Sequence, residues 1–410
     1  MYSALVVDRA VHRLRRARLV IQPRSVDYVL SAVDSFKDLL KDDGSLKRPL
    51  TPDEVSFIES EHALCKVDFR YFAERYGYVE RDASDGGGVG PAKFWPSQER
   101  ALALLAAKEE DNYRELAKFG FSEGIRGVWH KTRQQGATAL IRLIVWHRML
   151  FYRDMRSIAG TLDPDRVLEL YNRDHRILDN LPFYMRPRIE FDVKGQHISL
   201  ESLKSRITYQ LAGQRAGVGT SHQFDISHMT EVALWDNAYR LEFDFIPAVP
   251  KSINTFVGFE STANGMVGPG QYWFDLTEQV RTREHGFENW VYVFTPWYIN
   301  ARKNRAIPPD SWRPAKASLE HSALVERTSP EFTGGETVRL TRDQLYWWEM
   351  EFEKSRKLGT LHMFLTNYPA TPEQSFQHTA FTALPIETIE WLRANAREPV
   401  FYTPNLLVRP

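Results

Sequence analysis

The sequence predicts an α/β fold with a mainly parallel central sheet flanked by helices, followed by a smaller, mostly helical part. Three observations carry that expectation. Strand-like and helix-like stretches alternate up to about residue 300 and then stop alternating, the pattern of a parallel α/β core. Residues 126–138 read as a strand, a tight polar loop and the start of an apolar helix. A further strand, residues 224–230, runs straight into an acid, Glu231.

Bulk composition bounds the rest. A hydrophobic content of 43% and a charged content of 26% are ordinary for a globular chain long enough for two or three domains. Lys+Arg and Asp+Glu balance at 53 each, so any nucleic-acid surface must be a local patch. The single cysteine, Cys65, excludes an internal disulfide and fits a reducing compartment. No apolar run approaches the roughly 18–20 residues of a membrane span.

In chain order, Arg9, Arg13, Arg15, Arg16, Arg18 and Arg24 form a basic run. It reads as a solvated helix face, as a basic arm for DNA backbone or an acidic partner, or as an Arg-rich organelle presequence, which Asp8 and the low serine content disfavour. Residues 25–43 are expected to be helical, with Val26, Val29, Leu30, Val33 and Phe36 on the apolar face. Thr51, Pro52 and Glu54 have the spacing of a capped helix start. Phe94, Trp95 and Gln98 precede a helix expected over residues 102–108. An aromatic ring beside a glutamine amide, which both donates and accepts, can hold an adenine; a capped helix with an idle glutamine fits the same residues.

Gly127, Val128, Trp129 and His130 form the strand, residues 131–136 the loop, and Ala137 opens the helix. This architecture presents backbone N–H groups and a helix N-terminus to phosphate. In the usual phosphate loop, G-x-x-x-x-G-K-[ST], Gly136 and Thr138 would be the second glycine and the hydroxyl that meets Mg²⁺. Ala137 stands where the lysine belongs, and Lys131 stands at the first-glycine position. A lysine at that end of the loop can still reach β/γ-phosphates. Thr132, Arg133, Gln134 and Gln135 fill the loop, and Arg133 adds a second cation. A plain β–turn–α connection with solvated charges has the same signature.

Residues 156–161 read as a second strand, residues 163–180 as a helix, and residues 197–200 with 206–210 as a hairpin. A glycine-rich polar loop spans residues 210–220. Glu231, at a strand's carboxyl end beside the phosphate loop, is placed as a water-activating base, or as the cap of a helix starting at Val232. The residue before it is Thr230, where a metal-holding Asp is usual; a hydroxyl can order a metal-bound water without adding charge. His222, His228 and Glu231 lack zinc-site spacing. Ser261, Thr262, Ala263, Asn264 and Gly265 follow a strand over residues 253–260, as a plain Asn-Gly turn or as a loop that senses the γ-phosphate. Residues 290–294 are one more strand; a long helix starts near Leu340, and another follows Tyr368 and Pro369.

Phe-Trp-Pro-Ser-Gln, Lys-x-Arg-Gln-x-Gly-x-Thr, the glycine-rich loop, Thr-Glu-x-Ala-x-Trp and Glu-Ser-Thr-Ala-Asn-Gly occur in that order. Leu-Thr-x-x-Gln-Leu-x-Trp and Tyr-Pro-x-Thr-Pro-Glu-x-x-Phe follow. Over residues 67–381 the chain thus resembles the ATPase part of the large terminase subunit of tailed bacteriophages, a P-loop NTPase that packages DNA into a procapsid. The resemblance implies ATP and Mg²⁺ as cofactors. Phe94, Trp95 and Gln98 would bind adenine, and residues 131–138 would be a variant Walker A loop. Thr138 would meet Mg²⁺, Arg133 would sense the γ-phosphate, and Glu231 would be the catalytic carboxylate. Residues 261–265 would couple hydrolysis to movement.

It also implies an organisation: residues 1–60 as a helical arm, 61–300 as the ATPase core, 301–380 as a lid and 381–410 as a tail. The tail has no room for the ribonuclease-H-type nuclease of full-length large terminases, so no nuclease activity is expected. Implied partners are double-stranded DNA, contacted through phosphates, the portal protein, the small terminase subunit and further copies in a ring. The implied location is the host cytoplasm, at the procapsid. Another P-loop nucleic-acid motor such as a helicase, or a structural subunit with a degenerate site, remains open because Ala137 and Thr230 depart from the usual motifs.

Overall fold

Apolar runs near the N-terminus form helices. The computed structural model describes residues 23–81, 86–212, 223–300 and 302–376. The arginines before Arg24, the glycine-rich loop from residue 213 and the tail from residue 377 lie outside them. Helix α1 (Val26–Lys37) buries Val29, Val33 and Phe36. Helix α2 (Pro52–Val67) starts with a capping box in which Thr51 and Glu54 satisfy each other's backbone N–H. Helix α3 (Phe69–Tyr76) and a two-stranded ribbon, β1 (Tyr78–Glu80) with β2 (Val89–Pro91), lead to α4 (Pro96–Phe119). That helix runs well past the expected 102–108. It closes only at Gly120, whose φ of +79° suits a residue without Cβ.

The core alternates strands and helices: β3 (Ile125–Lys131), α5 (Ala137–Phe151), β4 (Arg156–Thr161) and α6 (Pro164–Asp179). Then come β5 (Ile189–Val193), β6 (His197–Leu200), β7 (Ser205–Leu211), β8 (Ile226–Thr230), β9 (Phe256–Ser261), α7 (Gln271–Thr282) and β10 (Trp290–Thr295). The eight-stranded sheet has the order β10-β3-β9-β8-β4-β7-β6-β5. It is parallel from β10 to β7 and antiparallel through the β6 and β5 edge. The α/β fold expected from sequence, a mainly parallel central sheet with flanking helices, is therefore the one observed. Strand β5 is an addition to the expected elements; its charged, mostly exposed Glu190 and Asp192 protect an edge.

Strands β8 and β9 are buried along their whole length, because helices cover both faces of the sheet. Successive β3 residues show the two sides. Trp129 packs into the cluster holding Leu140, Ile141 and Trp146 of α5, and Val128 into the one holding Trp273 and Leu276 of α7.

Beyond the sheet come α8 (Lys316–Thr333), α9 (Arg342–Lys357), α10 (Leu361–Asn367) and α11 (Pro372–Phe376). Helices α8, α9 and α10 share a third cluster built on Trp297, Val325, Trp348 and Phe364. The chain grips the sheet again through residues 367–375. Trp297 N–H donates to the Pro369 carbonyl (3.2 Å) and Arg133 N–H to the Asn367 carbonyl (3.3 Å). Ser375 Oγ pairs with His130 Nε2 at 2.8 Å. No helix among the described residues is long and apolar enough to cross a membrane.

Candidate active site

Three carboxyl ends of parallel strands meet beside one loop. Lys131 is the last residue of β3, in register with Thr295, rather than the first residue of the loop. Thr132 fastens this end to β10: its hydroxyl donates to the Thr295 carbonyl at 2.5 Å and its N–H to the same oxygen at 3.2 Å. The chain then turns through left-handed backbone at Gln134 (φ +61°) and Gly136 (φ +73°) into α5. Left-handed residues of this kind curl a loop into a concave nest of N–H groups suited to anions.

Gln98 is the bracket of that loop. Its Oε1 accepts the Trp95 N–H (2.9 Å) and its Nε2 donates to the Gly136 carbonyl (3.0 Å). Ser97 Oγ donates to the Gln135 carbonyl at 3.0 Å. Gly136 is favoured by its φ, and a Cβ there would meet Gln98 Nε2 at 2.7 Å and displace the bracket. The Trp95 ring carries the Lys303 ammonium at 4.2 Å, and Phe94 packs against Phe69 and the Arg70 guanidinium. The Gln135 amide is buried, with neither polar atom bonded.

The charged centre is a lysine between two acids. Lys131 Nζ lies 3.1 Å from Glu260 Oε2 and 3.3 Å from Glu231 Oε1. Burial opposes the ammonium charge, but Glu260 and Glu231 outweigh it and raise the Lys131 pKa. Glu260, wholly buried on β9, also accepts from Thr138 Oγ1 (2.7 Å) and from His228 Nε2 (3.0 Å). Burial alone would push its carboxyl up; Lys131, His228 and Thr138 together hold it well below the usual range. Burial lowers the His228 pKa against the pull of Glu260, so the ring is neutral and its Nε2–H is the donor. Among the described residues, sequence reasoning does not single out Glu260 or His228 as members of this cluster.

Glu231 sits just past β8 in left-handed backbone (φ +58°), its side chain 21% exposed. Arg166, near the start of α6, reaches it at 3.8 Å. The helix expected from Val232 is a single 3₁₀ turn, Val232–Leu234. The reason lies in the neighbouring loop: Ala233 N–H donates to Ser261 Oγ and Asn264 Nδ2 donates to the Ala233 carbonyl, both at 3.1 Å. Asn264 takes the Ala233 carbonyl, which an α-helix would need for its own ladder, and Ser261 pins the N–H of the same residue. Thr230 is buried beside Glu260 in the strand register, and its carbonyl accepts the Trp235 indole N–H.

A cavity of about 610 Å³ opens over this cluster, lined among others by Lys131, Arg133, Gln134, Arg166, Glu231 and residues 262–265. His362, Met363, Thr366 and Asn367 of the α10 segment close its other side. The structure thus brings together Lys131, Arg133, Gln134, Glu231 and the loop after β9. Thr138 faces inward on Glu260, and Phe94, Trp95 and Gln98 stand behind the loop.

No family model matches the chain, and neither does any curated protein. Among solved structures the chain is similar to the HK97 bacteriophage large terminase. They are 12% identical, over 76% of this chain and 55% of that one, with a TM-score of 0.47. It is also similar to the large terminase ATPase domain of Thermus phage P74-26. There the identity is 10%, over 53% of this chain and 90% of that one, with a TM-score of 0.34. The chain spans about half the length of the HK97 protein. At such identities the likeness is one of fold alone.

No group of three or more His, Cys, Asp or Glu side chains among the described residues could hold a metal ion unaided. A hydroxyl and a carboxylate 2.7 Å apart at the loop are instead the partial set that suits Mg²⁺, which takes one or two protein oxygens and completes its shell with waters and substrate phosphates. The residues present fit that mode.

Proposed function

We propose that this chain is an ATP-hydrolysing motor, the ATPase of a viral DNA-packaging large terminase, which couples hydrolysis to movement of double-stranded DNA. One observation carries the reading: Lys131, Thr138, Glu231 and Glu260 converge beside a tight glycine loop on the carboxyl edge of a parallel sheet, where α/β folds bind their ligands. In this reading residues 131–138 act as the Walker A loop. The N–H groups of Gln135, Gly136, Ala137 and Thr138 receive the phosphates at the start of α5.

Lys131 has three N–H donors. Two face Glu260 and Glu231, and the third remains for a β/γ-phosphate oxygen. Arg133 and Arg166, both on the cavity wall, are positioned to neutralise the γ-phosphate. Glu231 orients the attacking water and takes its proton as the bond from Pγ to the bridging oxygen breaks and ADP leaves. Mg²⁺, held through Thr138, supplies charge stabilisation on the phosphate oxygens. Trp95, Phe94 and Gln98 form the adenine side. Ser261 and Asn264 couple loss of the γ-phosphate to the turn that carries Glu231. The helices after residue 301 act as the lid and residues 61–300 as the core. The expected setting is the host cytoplasm, at the portal of a procapsid, with the small subunit and with further copies in a ring.

The experiment is ATP hydrolysis by the purified chain with and without double-stranded DNA, beside Lys131→Ala. Hydrolysis that requires Lys131 and rises with DNA supports the motor. Absence of both hydrolysis and nucleotide binding overturns it.

A further inference from the structure

We propose that Glu260, from the end of β9, is the carboxylate that orients the Thr138 hydroxyl and supplies the negative charge of the nucleotide's divalent-cation site, in place of the uncharged Thr230 at the end of β8. The proposal rests on the nucleotide-site reading above and adds a residue to it.

Thr230 and Glu260 are register partners on adjacent parallel strands, so their side chains leave the same face of the sheet, about 4.8 Å apart along the hydrogen-bonding direction. A carboxylate lost from one position is regained one strand over at the same height. The bonding is specific to such a role. Thr138 Oγ1 donates its only proton to Glu260 Oε1 at 2.7 Å, which leaves the hydroxyl lone pairs for a cation. Lys131 takes the other oxygen, Oε2, at 3.1 Å.

His228 fixes the carboxylate from behind. Its Nε2–H reaches Oε1 at 3.0 Å, while its Nδ1 is buried and unbonded. Carboxylates that serve metal sites are themselves held by hydrogen bonds of this kind. A counter-ion for Lys131 alone would need neither the loop hydroxyl nor the histidine, and Glu231 already provides a second anion. A fully buried carboxylate is costly to keep; tying it to the hydroxyl of the phosphate loop is what a cation site requires.

The test separates metal dependence from nucleotide binding. The full chain is titrated calorimetrically with ATPγS, once in EDTA and once in excess Mg²⁺. The wild-type chain binds more tightly in Mg²⁺. Glu260→Gln loses about 10- to 100-fold of that gain, the range typical when a metal site's supporting group is removed. Its affinity in EDTA is unchanged or tighter. Adding Thr230→Asp to Glu260→Gln returns the acid to β8 and restores part of the Mg²⁺ gain, which a purely structural role would not do.

Glu260→Asp keeps the charge opposite Lys131 and serves if the amide variant does not fold; one methylene shorter, it also loses most of the gain. An undiminished Mg²⁺ gain in Glu260→Gln or Glu260→Asp overturns the proposal while the nucleotide reading stands. So does wild-type binding that is no tighter in Mg²⁺ than in EDTA. A wild-type chain that binds no ATPγS in either condition overturns both.

Discussion

Asn264 donates its side-chain amide to the carbonyl of Ala233, 3.1 Å away, two residues beyond Glu231. Ser261, three residues before Asn264, accepts the Ala233 N–H at the same distance. The end of β9 and the loop after it therefore hold both backbone groups of one residue in the turn that carries Glu231. A shift of that loop must move the turn. Asn264→Ala removes one neutral hydrogen bond, a loss of about 1 kcal/mol, so the fold survives. The expected outcome is basal ATP hydrolysis within a few-fold of wild type with DNA stimulation lost. Steady-state ATPase rates with and without double-stranded DNA check it; full stimulation would show that the contact transmits nothing.

Lys131→Met should reverse the acid dependence of stability. In the wild-type chain the Glu260 carboxyl is held below its ordinary value, so its contribution is present above pH 4.5 and is lost as pH falls through the folded pKa. Without the ammonium, Glu260 keeps only the Thr138 and His228 donors against the cost of burial, a loss of up to about 3–5 kcal/mol. Its folded pKa then rises, and the deficit shrinks as pH falls and the carboxyl protonates. Urea denaturation of both chains at pH 7 and pH 5 measures this. The gap should be largest at pH 7, and Glu260→Gln added to Lys131→Met should close most of it.

Much of this arrangement is legible in sequence because its determinants are local. The strand, loop and helix around Lys131 and Gly136, the Thr51 cap and the acid ending β8 all announce themselves within a few residues. Glu260 does not. In sequence it is one residue of an apolar strand leading to a turn, and its role arises from lateral pairing with Thr230 on β8, thirty positions away by number. His228 likewise reads as an interior strand residue until Glu260 is placed beside it. Val232, Ala233 and Leu234 look like a helix start in sequence, yet they form a 3₁₀ turn; Ser261 and Asn264, from the end of another strand, override that local preference.

Gly136→Ala should weaken nucleotide binding through the loop's shape. The residue has φ +73° and its new methyl would lie 2.7 Å from Gln98 Nε2. Left-handed backbone on a residue other than glycine costs about 1–3 kcal/mol. Loosening the Gln98 bracket moves the N–H groups ahead of α5. Affinity for ADP, read by calorimetry, should fall, while melting shifts by only a few degrees. Gln98→Ala combined with Gly136→Ala relieves the clash but removes the bracket and leaves the backbone strain, so it should recover none of the affinity.

Mild acid should destabilise the fold through two buried neutral histidines. His130, packed between Phe294 and Phe376, is shifted from 6.5 to about 3 by burial and then by Arg281. His321 lies stacked on Trp348 and accepts the Trp297 indole N–H at Nε2; burial lowers it to about 3 as well. A base whose folded pKa is depressed binds protons more readily when unfolded. Stability is therefore full above pH 6.5 and declines as pH falls towards 3. Each histidine contributes a slope of up to about 1.4 kcal/mol per pH unit. Between pH 6.5 and 5 these depressed histidines contribute to the slope, and removing one of them isolates its share. His321→Gln offers Trp297 an amide oxygen and does not titrate. Urea midpoints across that window should fall less steeply for the variant than for wild type; equal slopes would mean that His321 is already protonated in the fold.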